Sequence, residues 1–250
     1  MTATDPAPGL AAAWGPREVP TTALLTDHYE LTMVRAALRA GTAHRRCVFE
    51  LFGRRLPAGR RYGVVAGVGR VLRALRQFRF DEESLRFLRD CDVVDQAMAD
   101  WLANYQFSGD IWGYPEGEIY FPGSPIMIVE STFGEAVVLE TLLLSIYNHD
   151  SAIASAASRM IAMAGDRPCI EMGSRRTHEL AAVAAARAAY IAGFDSTSNL
   201  EAGRRYGVPT RGTAAHSFTL LHNSECEAFA AQIAELGSET RVLATGGLGP

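Results

Sequence analysis

Three short runs hold the residue types that handle anions: Ser174-Arg175-Arg176, then Ser196-Thr197-Ser198-Asn199, then Thr213 with His216-Ser217. A guanidinium grips phosphate or carboxylate oxygens through paired N–H groups. Hydroxyls complete such a grip, and an imidazole serves as acid, base or nucleophile near neutral pH. Each run has a plain structural reading as well. An Arg-Arg pair can be a solvated helix start, Ser-Thr-Ser-Asn can be turn and capping chemistry, and His216 can rest on a backbone carbonyl. What raises all three together is their shared register at the ends of successive strand-like segments.

Those segments recur regularly after residue 168. PCIEMGS reads as a strand and RTHELAAVAAARAAYIAG as a helix closed by Gly193. FDSTSN is a second strand, LEAGRRYG a short helix, VPTRGTAAHSF a third strand, SECEAFAAQIAELG a helix closed by Gly237, and TRVLAT a fourth strand. Alternating β and α elements with short connections imply parallel strands joined by right-handed crossovers. The C-terminal ends of such strands meet on one face, where ligands bind beside helix N-termini. His216 is expected on a strand edge of that face.

The preceding half reads differently. Asp27 caps a helix with Glu30 three residues on, as in a capping box, and the helix runs to Gly41. CVFELF is a strand, followed by a polar, Arg-rich turn. Residues 64–78 and 83–90 read as helices. Residues 107–130, rich in Pro, Gly and β-forming residues, predict a small antiparallel sheet. Thr132 and Glu135 form a second capping-box pair. They lead into an apolar, Ala-rich stretch that is either one long helix or two helices broken near Asn148-His149-Asp150. The resulting division is a lead-in over 1–20, expected to be disordered, an α+β region over 21–135, a connecting helical region over 136–168 and an α/β region over 169–250.

Other chemistry-bearing residues favour structural roles. GVVAGVGR (Gly63 to Arg70) matches neither phosphate-loop pattern and is expected to serve helix packing. His28, His44, His149, His178 and His222 have no metal-ligand spacing, so no metal site is expected. Met160, Met163 and Met172 are expected as core filler. Tyr29, in a first helical turn, reads as a half-buried aromatic.

Composition bounds the function. The 250 residues are 48% hydrophobic and 21% charged, with a formal net charge of −4, the profile of a folded globular chain rather than a nucleic-acid binder. No stretch has the roughly 18 uninterrupted apolar residues of a membrane span. There is no lysine, so every basic side chain is Arg. The four cysteines, Cys47, Cys91, Cys169 and Cys226, are scattered without a CxxC or a signal peptide, as expected of free thiols in a reducing cytoplasm.

Taken together, TDHYELTM, FELFGRRLP, EGEIYFPGSPIMIVES, LLLSIYNHDSAIASAASRM, EMGSRRTHE, YIAGFDSTSNLEAG and YGVPTRGTAAHSFT resemble the nicotinate phosphoribosyltransferase family, collinearly from about residue 20 to 236. The resemblance implies a type II phosphoribosyltransferase fold: an N-terminal α+β domain followed by the first part of an irregular (β/α) barrel, incomplete in this chain. It implies transfer of phosphoribosyl from phosphoribosyl pyrophosphate to nicotinate, giving nicotinate mononucleotide and pyrophosphate in NAD salvage. ATP is a co-substrate through a phosphohistidine, and Mg2+ accompanies phosphoribosyl pyrophosphate. By the same resemblance His216 carries the phosphate, and Thr213 contacts nicotinate. Arg175 and Arg176 face phosphates and base, and Ser196, Thr197 and Ser217 fall in the binding blocks. Tyr29 reaches the pyridine site of a neighbouring subunit, which implies a homodimer with shared sites.

Two departures stand out. Met172 occupies a position where relatives carry an aromatic residue, and the similarity decays after Leu236. The second departure predicts a truncated or split version of the enzyme with little turnover alone. Two further readings remain open: a nicotinamide-using sister enzyme, and a non-catalytic half that needs a complementary C-terminal chain. Nicotinamide-using relatives carry an acid in the second strand block, at the position aligned to Ser196, with Asp195 adjacent.

Overall fold

The computed structural model describes residues 21–237, so the expected lead-in over 1–20 and the expected fourth strand TRVLAT lie outside the described residues. The chain is mixed α/β and divides into two compact units between Ser155 and Ala156.

In the first unit, Asp27 caps α1 (His28–Arg39), and the box with Glu30 forms in full. Residues Ala40 and Gly41 end the helix, Gly41 taking a positive φ of 68° that suits its missing side chain. Strand β1 (Arg46–Phe52) follows. The expected helix over 64–78 is shorter. Gly63–Val64 instead forms β2, and α2 (Val68–Arg76) starts after Gly67. Gly63 faces Tyr120 across the strand pair so closely that an added Cβ would sit 2.2 Å from the ring. The backbone N–H groups of Gly67 and Gly69 donate to Glu116 Oε1 at 2.8 and 3.4 Å, so the chain's own carboxylate occupies the start of α2.

Helix α3 (Glu82–Asp90) is capped by Asp81, and α4 (Gln96–Ala103), which the sequence reading did not anticipate, by Asp95. The expected antiparallel region forms as β3 (Asp110–Gly113), β4 (Ile119–Tyr120) and β5 (Pro125–Thr132). Strands order as β1-β5-β3, with Phe49 opposite Val129 and Trp112 opposite Ile128. One sheet face packs on a continuous core that includes Leu31, Val34, Met98, Leu102, Leu142 and Tyr147. Phe78, Phe80, Trp101 and Tyr105 meet edge-on in that core at 5.5–5.8 Å between centroids.

Thr132 caps the short helix α5 (Phe133–Val137) at the Glu135 N–H, 3.4 Å. The Glu135 carboxylate accepts instead from Ser108 N, Ser108 Oγ and Ser131 Oγ at 2.8–2.9 Å, tying α5 to the sheet. Helix α6 (Glu140–Ala164) runs unbroken through Asn148-His149-Asp150. Asp150 is fully buried and accepts from Arg70 Nη1 at 2.6 Å, with His149 Nδ1 at 2.8 Å, so tertiary pairing keeps inside the helix a residue that locally favours a break.

The second unit holds β6 (Ile170–Glu171), α7 (Glu179–Ile191), β7 (Ser196–Thr197), α8 (Leu200–Tyr206), α9 (His216–Thr219) and α10 (Glu225–Leu236). Strands β6 and β7 pair in parallel, as expected. The expected third strand reduces to one parallel bridge, Thr197 to Thr210. Among the described residues the strands do not close into a barrel. Met160, Met163 and Met172 are exposed rather than core filler. No described helix is long and apolar enough to cross a membrane.

Candidate active site

Glu171, at the end of β6, organises the strand ends of the second unit. Its Oε2 accepts the Thr197 hydroxyl at 2.6 Å, and its Oε1 accepts the Gly173 N–H. Thr197 Oγ1 in turn accepts the Asn199 N–H at 3.0 Å. Asn199 Nδ2 donates to Ser174 Oγ at 3.1 Å, while its Oδ1 caps α8 at Ala202 N, 2.9 Å away. Backbone bonds carry the connection onward: Thr197 N–H to Pro209 O, and Arg211 N–H to Thr197 O, both 2.9 Å. The first two runs and the start of the third segment therefore share one hydrogen-bonded clasp.

The clasp also sorts the expected residues by exposure. Ser196 and Thr197 are buried, and the Thr197 hydroxyl is engaged within the protein. Ser174 is half-buried, and Arg175 and Arg176 are exposed beside it, on a turn closed by Arg176 N–H to Gly173 O at 2.8 Å. Thr213 is half-buried and lines an open pocket of about 470 Å³ with Ala215, Phe218 and His222. His216 and Ser217 are exposed in the first turn of α9. His216 thus opens a helix instead of edging a strand, since the chain leaves the parallel pairing after Thr210. Sequence reasoning missed Glu171. Its signal was available as a carboxylate at a strand end, two residues before Gly173-Ser174.

Asp195, next to the buried strand residue Ser196, is also tied down. Its Oδ2 accepts the Cys169 N–H at 2.7 Å, so its carboxylate is held at the start of β6. The neighbouring Ser196 takes the buried strand position.

In the first unit, Tyr29 stands in the first turn of α1 and is 45% exposed. Its hydroxyl donates to Glu140 Oε1 at 3.0 Å. Partial burial of the phenol, followed by the Glu140 carboxylate, pushes its pKa up to about 12, so the group is a neutral hydrogen-bond donor at physiological pH.

Residues 24–148 match a family described as nicotinate phosphoribosyltransferase (NAPRTase) N-terminal domain. The chain is 61% identical over 228 residues to the nicotinate phosphoribosyltransferase pncB1 of Mycobacterium tuberculosis H37Rv, across 88% of this chain and 50% of that protein. The chain belongs to the nicotinate phosphoribosyltransferase family. The Bacillus subtilis nicotinate phosphoribosyltransferase is 38% identical across 82% of this chain and 42% of its own length. The crystal structure of human nicotinic acid phosphoribosyltransferase superposes with a TM-score of 0.72 at 36% identity, over 78% of this chain and 40% of the human one. A nicotinate-nucleotide pyrophosphorylase from Pyrococcus furiosus shares the fold, with a TM-score of 0.72 at 22% identity over 92% of this chain and 51% of its own. The chain spans about half the length of the curated nicotinate phosphoribosyltransferases it matches.

Proposed function

We propose that this chain carries nicotinate phosphoribosyltransferase chemistry. In that reaction the pyridine nitrogen of nicotinate bonds to C1 of the ribose in phosphoribosyl pyrophosphate, the C1–O bond breaks, and pyrophosphate leaves with the electron pair. The observation that carries this reading is family membership at 61% identity across most of the chain. The clasped strand ends supply the matching chemistry in Arg175, Arg176 and a hydroxyl-lined turn.

In this reading the fold is the opening part of a (β/α) barrel behind an α+β domain. Arg175 and Arg176 bind phosphate oxygens, Ser196 and Thr197 shape the pocket wall, and Thr213 and Ser217 approach the base and phosphates. ATP transfers its terminal phosphoryl group to the His216 imidazole and leaves as ADP. The phosphorylated ring then places negative charge where pyrophosphate is gripped and released, and water hydrolyses it. Mg2+ arrives with phosphoribosyl pyrophosphate as part of the substrate. Two copies of the chain share sites in a cytoplasmic homodimer, each lending Tyr29 to the other.

Nicotinate is favoured over nicotinamide by the strand-two geometry. A carboxylate beside the ring would repel nicotinate and welcome an amide. Here Asp195 is held by the Cys169 N–H, and Ser196 stands at the strand position itself.

The test is product formation from nicotinate, ATP and phosphoribosyl pyrophosphate by the purified chain, run beside phosphoryl transfer from labelled ATP to the protein. Expected are slow formation of nicotinate mononucleotide, in line with the low turnover anticipated for the chain alone, and an acid-labile, base-stable label that His216→Ala abolishes; rapid turnover overturns that anticipation. A label that survives His216→Ala overturns the phosphohistidine, and preference for nicotinamide overturns the substrate.

A further inference from the structure

We propose that Glu140 is the positioning residue for the Tyr29 ring, holding its hydroxyl so that the exposed ring face is presented in one orientation to a pyridine. This rests on the nicotinate reading above and adds to it a residue 111 positions from Tyr29 in the chain. Glu30, beside Tyr29 in the chain, is fully buried. Its Oε1 accepts both the Thr141 N–H at 2.8 Å and the Thr141 hydroxyl at 2.6 Å. Its Oε2 accepts the Asp27 N–H at 3.2 Å and the Thr26 hydroxyl. One buried carboxylate therefore pins the first turn of α6 to the first turn of α1.

Glu140 is the residue next to that pin, and it extends a second carboxylate to the Tyr29 hydroxyl. The Tyr29 ring is thus fixed at both ends, by the α1 backbone at Cα and by Glu140 at the hydroxyl, while nearly half of its surface stays open. A two-torsion side chain held this way has little orientation left to lose when a flat ring stacks on it. The tie between α1 and α6 already exists through Glu30 and Thr141. A surface hydrogen bond at Tyr29 adds little to folding, so its consequence lies in ring orientation.

The experiment uses the full chain and the variants Glu140→Gln, Glu140→Ala, Tyr29→Phe and the double variant Tyr29→Phe/Glu140→Ala. The first readout is the ring-carbon resonances of labelled tyrosine, with Tyr29 identified by its loss in Tyr29→Phe. Tyr29 signals are expected to move in Glu140→Ala and less in Glu140→Gln, which keeps an acceptor, while the melting temperature changes by less than about 3 °C. The second readout is nicotinate. Glu140→Ala is expected to raise KM, or Kd by equilibrium titration, about two- to tenfold with kcat nearly unchanged, and Glu140→Gln to recover most of it. Adding Glu140→Ala to Tyr29→Phe is expected to cost little more. Unmoved Tyr29 signals overturn the role of Glu140 whether or not the chain turns over nicotinate. So does an independent, multiplicative effect of the two substitutions. Absence of both nicotinate binding and turnover in the unaltered chain overturns the reaction itself, and the resonances still report the contact separately.

Discussion

Among the described residues, the unit that ends at Ser155 buries large side chains, and those buried beyond Ala156 are mostly small. The first unit buries Tyr147, Met98, Leu102 and Leu139 almost completely in one continuous core. Among the described residues of the second unit, Val183, Ala186 and Ala202 form a buried cluster with Tyr206 against it, while Leu200, Leu220 and Leu221 are each more than 70% exposed. The second unit takes its local order from hydrogen bonds, above all the Glu171–Thr197–Asn199–Ser174 clasp. The residues proposed to handle phosphate sit on the unit that holds this clasp. Among the described residues, the largest buried side chains and the clasped strand ends thus lie in different units.

The strongest way to break that comparison is by core truncation. Leu102→Ala should lower the unfolding free energy in urea by about 2–5 kcal/mol, because the cavity adds to the lost transfer energy. Val183→Ala removes two methyl groups and should cost about 1–2 kcal/mol. Equal losses would sink the contrast between the units. A smaller global effect comes from the clasp. Thr197→Val removes a hydroxyl that donates to Glu171 and accepts from Asn199, and should cost about 1–2 kcal/mol. Its sharper signature is faster amide exchange at Asn199 and Ala202, with the first unit unchanged.

The smallest effect is a change of slope with pH. Burial alone would raise the Glu135 pKa, but hydrogen bonds from Ser108 and Ser131 outweigh it and hold the carboxyl below its ordinary value. A folded-state pKa below the unfolded one gives stability that is present above the ordinary carboxylate range, near 4.3, and is lost as pH falls through the folded value. Glu135→Gln should therefore flatten the acid limb of the stability curve and leave its neutral region parallel to the parent. An unchanged acid limb would remove Glu135 from the account.

Local signals were legible where the physics is local. Asp27 and Glu30 formed the box that their spacing implies, because a capping box needs only four residues in sequence. The sheet between Asp110 and Thr132 followed from Pro, Gly and β-branched residues. The parallel pairing of β6 with β7 followed from βαβ order. Elsewhere distant partners decided the outcome. Asp150 stays inside a helix because Arg70 meets it across 80 residues, and Glu135 leaves its own cap for Ser108 and Ser131. The short helix α4, Gln96 to Ala103, went unread although Asp95 caps it at Met98 N–H.

What the amino-acid order determined by itself was the family, through contiguous blocks such as TDHYELTM and GTAAHSF, and the capped helices, whose signals lie within one turn. Only the tertiary structure decided that Glu171 gathers Thr197 and, through Asn199, Ser174, that Asp195 is held by Cys169, and that Glu140 meets Tyr29. The physical reason is distance along the chain. A hydrogen bond between residues 26 or 111 positions apart depends on how whole helices and strands pack, and no short pattern of residue types encodes that packing.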